Sequence, residues 1–434
     1  MPKARWTMIA LCFFASTINY IDRANLAVAA PFIQRELHLT PTTMSFVLSA
    51  FFWTYAAMQI PFGWLADRIG PRITMAVSVV WWSAFTMVTG MMRSVPGLMT
   101  ARLLLGAGEA GAYPACTKVV SLWFSRGERG IASGIFTSGV EVGSALSLPI
   151  VAWVIAVFGW KWSFLVTGTF GFVWVIAWIV LYRDPDQHPR VSAEQYRALR
   201  IARGDTSYRD AHAEAAPWAS VLRHRAVLGM TLGFFCMNFV KYFFITWFPS
   251  YLMNARGFSL AQLGTLGMLP ALCAIPGSWL GGATSDALFR RGWSMTAARK
   301  TCLVGGMLLS SCITLCAFAD SRAIAIGLFS LTYLSLSFVS ANAWSLPADV
   351  APSPRHVATI SAIQNTASNI AGILTSTFTG IMLTVTHGSF AIPLLTAGAF
   401  CVIGACSYLF IVGPVEPIRF DRTERGAQPQ LKAG

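Results

Sequence analysis

Long apolar runs alternate with shorter polar segments along almost the whole chain. Each run has the length that an α-helix needs to cross roughly 30 Å of hydrocarbon, which is about 20 residues. The pattern therefore predicts twelve membrane-spanning helices, at 7–30, 43–66, 73–92, 96–118, 131–157, 162–182, 226–253, 260–283, 301–319, 322–345, 357–382 and 389–413.

One polar segment near the middle of the chain is much longer than the others. Residues 183–225 are rich in charge, and they separate six predicted spans from six more. An offset of 219 residues relates the start of the first span to that of the seventh, and also relates Asp67 to Asp286 in the loops after the second and eighth spans. We expect an all-α membrane protein with a parallel repeat of two six-helix bundles. The predicted parts are an N-terminal bundle at 1–182, a cytoplasmic linker at 183–225, a C-terminal bundle at 226–413 and a cytoplasmic tail at 414–434.

The distribution of basic residues indicates how the chain is oriented. Its formal net charge of +14 would suit a nucleic-acid partner. However, with both termini in the cytoplasm, five of the 32 Lys and Arg lie in external loops and four inside spans, which leaves 23 in cytoplasmic segments. This asymmetry follows the positive-inside rule. We therefore expect a multi-pass protein of a bacterial-type inner membrane, with the lipid bilayer rather than nucleic acid as its partner.

The residues typical of metal sites and enzymes do not form recognisable motifs. The nine cysteines all lie in apolar runs without CxxC spacing, and the six histidines are scattered. Neither a metal site nor a disulfide framework is predicted, and no nucleophile or cofactor loop indicates an enzyme. The first apolar run is long and contains Asp22 and Arg23, so it does not resemble a cleavable signal.

Four motifs carry a resemblance to a known family. GWLADRIGPR at 63–72 matches the loop signature of the major facilitator superfamily. NYIDR at 19–23, RLLLGAGEAGAYP at 102–114 and YFFITWFPSYL at 242–252 resemble its anion:cation symporter branch, which includes bacterial galactonate, glucarate and hexuronate carriers. The resemblance covers nearly the whole chain. It implies the major facilitator fold and alternating access to a site between the halves, in a functional monomer.

Six charged residues fall deep within predicted spans, namely Asp22, Glu109, Glu141, Arg23, Arg102 and Lys241. A charge near the bilayer centre costs about 3 kcal/mol or more, so each needs a partner or a function. Three acids balance three bases, so we expect the charges to be stored as pairs. If two carboxylates take up protons, a carboxylate substrate becomes the natural counter-ion. Binding of protons and of anion would then favour each other, which predicts symport with H+ as the coupling ion and no other cofactor.

Two acids and two arginines carry the expected coupling. Burial favours the neutral form of Asp22 while neighbouring Arg23 favours the carboxylate, so its affinity for a proton is open to adjustment by the substrate. Arg23 is the expected substrate anchor because its planar fork can hold a carboxylate bidentately. The resemblance implies that Asp22 and Glu109 are the branch's two protonatable acids and that Arg102 is its coupling arginine. The alternative in each case is a permanent structural ion pair.

The resemblance also implies a set of substrate contacts and a set of gating residues. The substrate contacts are Tyr20, Tyr55, Trp344 and Asn365, with Gln364 and Asn342 as further candidates. The gating residues are Asp67, Arg68 and Arg72, with Asp286 in the repeat. An acid near one helix end and an arginine near its neighbour can latch the halves, although the arginines also suit a purely topogenic role.

Lys241 and Glu141 depart from the pattern expected of sugar-acid carriers. The 219-residue offset places Lys241 opposite Asp22 across the repeat, and Val140 stands where a polar Gln is expected. The pocket has thus lost a sugar-reading group and gained a cation. A second carboxylate or an aromatic acid would suit this change. The alternative is that Lys241 and Glu141 pair with each other structurally.

Together these features predict a secondary transporter that imports a small organic anion, a sugar acid or other mono- or dicarboxylate, by proton symport. One alternative is a proton-coupled antiporter that exports a drug or metabolite, in which proton and substrate compete for binding. A membrane enzyme or a non-transporting sensor is the alternative outside this class.

Overall fold

The computed structural model describes residues 2–125, 128–203, 223–352 and 354–418, and these contain no β-strand. The first half contains α1 (Pro2–Leu37), α2 (Pro41–Met91), α3 (Val95–Glu109), α4 (Ala112–Trp123), α5 (Arg129–Phe158), α6 (Trp160–Leu181) and the short α7 (Ala193–Arg203). The second contains α8 (Arg225–Thr246), α9 (Leu260–Leu266), α10 (Leu269–Arg290), α11 (Met295–Ser310), α12 (Arg322–Ala343), α13 (Pro354–Val385) and α14 (Ala391–Cys406). Residues 204–222 of the predicted linker and 419–434 of the predicted tail lie outside the described residues.

Ten helical segments of the described chain are long and apolar enough to cross a membrane. They coincide with the predicted spans except the first and the fourth. The first span is α1, whose hydropathy is lowered by Asp22 and Arg23. The fourth is divided into α3 and α4 at residues 110–111, and it contains Arg102 and Glu109. Both of the spans that are not among these ten contain buried charges, and the fourth is also broken into two shorter helices.

Glycine allows neighbouring helices to approach closely inside each half. A Cβ at Gly106 of α3 would lie 2.3 Å from the carbonyl oxygen of Phe51 in α2. In the second half, a Cβ at Gly281 of α10 would lie 2.2 Å from the carbonyl oxygen of Phe338 in α12. Small residues permit such backbone-to-backbone packing in membrane helices. The close approach of α3 to α2 brings Arg102 and Glu109 toward the centre of the first half.

The halves meet at the end of the molecule opposite the linker, called the distal end below. Thr42, at the start of α2, donates from its Oγ1 to Oγ1 of Thr384 in α13 at 2.7 Å. Gly380 packs against Ser45 so tightly that a Cβ at this glycine would lie 2.2 Å from the Cβ of Ser45. Gly264 of α9 packs against α5 in the same region of the molecule. The structure is therefore closed at its distal end.

Candidate functional site

Arg23 lies in a cage of aromatic rings between α1 and α2. Its guanidinium carbon is 4.8 Å from the ring centre of Tyr20, 4.5 Å from Phe51 and 4.9 Å from Tyr55. The guanidinium carbon of Arg102 lies 5.3 Å from the same Phe51 ring. These distances suit cation–π attraction, which is worth about 2 kcal/mol when desolvated. The cage thus holds two arginines close together away from water.

Glu109, at the end of α3, is the ionic partner of Arg23. The Arg23 Nε donates to Glu109 Oε1 at 2.9 Å, and Nη2 donates to the same oxygen. Both side chains are almost completely buried. The second carboxylate oxygen of Glu109 has no hydrogen-bond partner within the described residues. The pair therefore uses only one side of the carboxylate.

Asp22 does not pair with its neighbour Arg23. Adjacent residues of an α-helix point in different directions, whereas residues three or four apart face each other. Asp22 is fully buried near Thr167 and Trp82, but neither carboxylate oxygen makes a hydrogen bond of normal geometry within the described part of the chain. Arg102 and Glu109 are its electrostatic neighbours, and two guanidinium nitrogens of Arg102 are likewise unpartnered there. The expectation that the deep charges are stored as pairs thus fails for Asp22.

Tyr20, Tyr55 and Asn365 were all predicted as substrate contacts. In the structure, Asn365 lies where the two halves meet. Asn365 Nδ2 donates to Oε1 of Gln59 at 2.7 Å, which joins α13 to α2. Neighbouring Gln364 is buried, and among the described residues neither atom of its amide has a hydrogen-bond partner. Sequence reasoning missed Gln59, although Phe51, Tyr55 and Gln59 recur every four residues and so share one face of α2.

The structure places Asn342 and Trp344 elsewhere. Asn342 donates to the carbonyl oxygen of Gly281 at 3.0 Å and accepts from Nη1 of Arg299 at 3.1 Å. Trp344 is half exposed, and its ring packs edge-on against Phe234 of α8. The amide of Asn342 is thus occupied by a contact between α10, α11 and α12, and it is not brought to the arginine cage.

Glu141 and Lys241 form an ion pair that joins the two halves. The Lys241 Nζ is 3.2 Å from Oε1 of Glu141, and each side chain is 14% exposed. Nearby, Phe52 of α2 contacts Tyr242 of α8 edge-on, with ring centres 4.7 Å apart. This is the pairing considered as an alternative from the sequence. It connects α5 to the C-terminal part of α8.

A cleft between the halves opens beside this ion pair. The space between its walls, including the part that is open to solvent, is about 470 Å³. Its walls come from α1, α5, α8, α9, α10 and α12 and their flanking turns. Its polar lining includes Tyr20, Ser144, Ser147 and Tyr333. Aromatic and aliphatic groups form the rest, so the cleft combines apolar surface with a few hydroxyls.

The predicted gating residues lie at the linker end of the molecule. Arg72 Nη2 donates to the carbonyl oxygen of Ile179 at 2.9 Å, and Arg68 lies over the ring of Trp64. Asp286 is exposed. The side chain of Asp67 lies outside what the structure describes, so the predicted latch at this residue stays a prediction.

One ion pair at the linker end was missed by sequence reasoning. Arg299 Nε donates to Oδ2 of Asp349 at 3.0 Å, and Nη1 donates to Oγ of Ser285 at 3.2 Å. Arg299 lies in the second turn of α11, and Asp349 follows the end of α12 by six residues. The two are 50 residues apart, so no local pattern links them. In the described residues, no group of three or more His, Cys, Asp or Glu could hold a metal ion.

Comparison with known proteins relates the whole chain to membrane transporters. The profile of the "Major Facilitator Superfamily" matches residues 12–376. The chain is 34% identical to "Probable galactarate/D-glucarate transporter GudP" of Bacillus subtilis, over 99% of this chain and 96% of that protein. It is 35% identical to "Probable sulfoacetate transporter SauU" of Cupriavidus necator, over 94% of each. It is 34% identical to "D-galactonate transporter" of Escherichia coli O6:H1, over 96% of this chain and 97% of that protein.

A solved structure shares the fold. The crystal structure of a bacterial homolog to the human lysosomal transporter Spinster, in its inward-facing and occupied conformation, matches with a TM-score of 0.75. The alignment covers 94% of this chain and 96% of that chain at 19% identity. The predicted arrangement of two helical bundles is therefore confirmed at the level of fold.

Proposed function

This chain belongs to the major facilitator superfamily, and we propose that it imports a small organic anion together with protons by alternating access. Membership in this family makes it a multi-pass membrane transporter rather than an enzyme, as the sequence predicted. The relatives named for galactarate, D-glucarate, D-galactonate and sulfoacetate support an organic anion as the substrate. All of these compounds carry at least one acidic group that is ionised at neutral pH.

The Arg23–Glu109 pair beside an unpartnered Asp22 is the observation that carries the proposal. While Glu109 is ionised, it occupies the hydrogen-bonding edge of Arg23. A proton on Glu109 weakens this bond, and the substrate's carboxylate then takes its place on the same guanidinium. A second proton on Asp22 removes the other buried negative charge near Arg102. Protons and anion therefore assist each other's binding, as symport requires.

The orientation of the chain follows from the distribution of basic residues. Lys and Arg concentrate in the segments at the linker end, so we assign that end to the cytoplasm of a bacterial-type inner membrane. The closed distal end then faces outward, and the site would exchange with the cytoplasm in this conformation. One chain contains both halves of the site, so we expect a functional monomer.

Uptake by proteoliposomes tests the proposal. We expect liposomes with an imposed gradient, acidic outside, to accumulate D-galactonate or galactarate above its external concentration. A protonophore should abolish the accumulation. Equal uptake with and without the pH gradient would contradict proton coupling. An antiporter is recognised separately, because its substrate binds more weakly at low pH, whereas a symporter's substrate binds more tightly.

Gly380 offers a test of alternating access. In Gly380→Leu the new side chain would press into Ser45 and prevent the distal end from closing. Overpacking of this kind costs about 1–3 kcal/mol, enough to shift a conformational equilibrium by about tenfold. We expect uptake to fall by a similar factor while substrate binding persists. The control is Gly327→Leu in α12, where a Cβ would meet nothing within 4 Å. Normal uptake by a monodisperse Gly380→Leu protein would refute closure at this contact.

A further inference from the structure

The ion pair between Glu141 and Lys241 has no part in the proton mechanism proposed above. It lies between the halves, with one residue on α5 and the other on α8. A structural pair in this position would bind together two bodies that must move apart during alternating access. During transport another group must therefore separate Glu141 from Lys241, and the geometry of the pair indicates which kind of group can do so.

The ion pair between Glu141 and Lys241 makes few hydrogen bonds with its surroundings. The Nζ to Oε1 distance of 3.2 Å is longer than the roughly 2.7–2.9 Å of a strong charge-assisted hydrogen bond. The second oxygen, Glu141 Oε2, is buried without a hydrogen-bond partner among the described residues. A buried ion pair repays its desolvation only with good geometry and further hydrogen bonds. Lys241 is thus held through one oxygen of Glu141, while the other oxygen of that carboxylate has no partner in the described part of the chain.

Tyr20 connects this pair to the arginine cage. Its ring centre lies 4.8 Å from the guanidinium carbon of Arg23, and Glu141 is among the charged neighbours of its hydroxyl. Tyr20 lines the cleft, as does Tyr333, which is an electrostatic neighbour of both Glu141 and Lys241. Arg23 and Lys241 do not line the cleft themselves, but Tyr20 and Tyr333 of its lining lie next to them.

We propose that the substrate carries two anionic groups, one bound by Arg23 and the other by Lys241 after it displaces Glu141. This inference rests on the proposed function, because it assumes that the cleft holds the transported anion. Two negative charges entering with two protons leave the net charge of the site unchanged, which suits a buried site. The second anionic group also releases the ion pair between the halves, so it couples substrate binding to their movement.

Binding of matched anions tests the proposal. Each pair has one charged group in the first member and two in the second: D-galactonate with galactarate, butyrate with succinate, and acetate with sulfoacetate. The readout is the dissociation constant of the purified protein at acidic pH. We expect the doubly charged member to bind more tightly in at least one pair. In Glu141→Gln/Lys241→Gln, which removes both charges at nearly constant volume, that advantage should fall about tenfold, as for one charge-assisted hydrogen bond.

The control neutralises another ion pair in the same way. Glu36→Gln/Lys161→Gln removes an exposed pair between α1 and α6 at the distal end and should leave both affinities unchanged. Equal weakening of the singly and doubly charged members by the Glu141/Lys241 variant would show a purely structural pair and overturn the proposal. So would the absence of any preference in the wild type. Proton-driven uptake of a monoanion without that preference would overturn this inference and leave the proposed function intact. A preference for dianions without proton-driven uptake would support this inference and contradict the proposed proton symport.

Discussion

Asp22→Asn is expected to abolish the accumulation of substrate while leaving its exchange across the membrane. The amide has the shape of the neutral carboxyl group, but it cannot release or take up a proton. Asp22 is fully buried, and although Thr167 and Trp82 lie nearby, no described residue donates a hydrogen bond of normal geometry to its carboxylate. An ionised carboxylate without hydrogen-bond donors is costly in an apolar environment. The variant should therefore resemble a carrier that is permanently protonated at this position.

Two transport assays separate these effects. In uptake driven by a pH gradient, Asp22→Asn should give no accumulation above that of protein-free liposomes. In counterflow, where unlabelled substrate inside exchanges with labelled substrate outside, the variant should remain active. Asp320→Asn provides the control, because this acid is exposed in the loop after α11 and should behave as wild type in both assays. Accumulation by Asp22→Asn at the wild-type level would exclude Asp22 as a proton site.

Replacement of Arg23 should remove substrate binding. Loss of one member of a buried, hydrogen-bonded charge pair costs about 2–5 kcal/mol, so the dissociation constant should rise by at least about 30-fold. Arg23→Gln alone would also leave Glu109 buried without its partner, which destabilises the fold itself. The informative protein is therefore Arg23→Gln/Glu109→Gln, in which neither charge remains. Its affinity should stay low even though its thermal stability recovers.

Arg23→Lys distinguishes charge from geometry. Lysine keeps the positive charge, but it lacks the planar fork that binds a carboxylate with two parallel hydrogen bonds. It also stacks less well against Tyr20, Phe51 and Tyr55, whose ring centres lie within 4.9 Å of the guanidinium carbon. We expect intermediate affinity, measured by isothermal titration calorimetry. If the double Gln variant bound substrate as tightly as wild type, Arg23 would not be the substrate anchor.

The proposed roles also explain why α1 and α3, which carry four buried charges, pack together in the first half. α1 carries Asp22 and Arg23, and α3 carries Arg102 and Glu109. Any one of these charges would be costly in lipid. Packed against α2, they instead face each other and the rings of the cage. The apolar helices around α1 and α3 separate these charges from lipid, and α1 and α3 carry the residues proposed to bind protons and substrate.

The sequence alone was sufficient for the fold and for the residue types of the site. A helix that crosses hydrocarbon must be long and apolar, so its length and composition are visible in any window of the chain. For the same reason a charged residue within such a window stands out without any knowledge of its neighbours. The six deep charges were predicted in this way, whereas the repeat followed from the 219-residue offset and the family from the resemblance of four motifs.

Only the tertiary structure decided which of these residues meet. Asp22 and Arg23 are adjacent in the chain, yet helical geometry turns them apart, and Arg23 instead binds Glu109, which is 86 residues away. Asn342 was predicted beside the substrate, but its amide is occupied by Arg299 and by the backbone of α10. Glu141 and Lys241 come from different halves and meet only when the halves pack. Ion pairs form between side chains that the packing of helices brings together, and no pattern local to one helix records that packing.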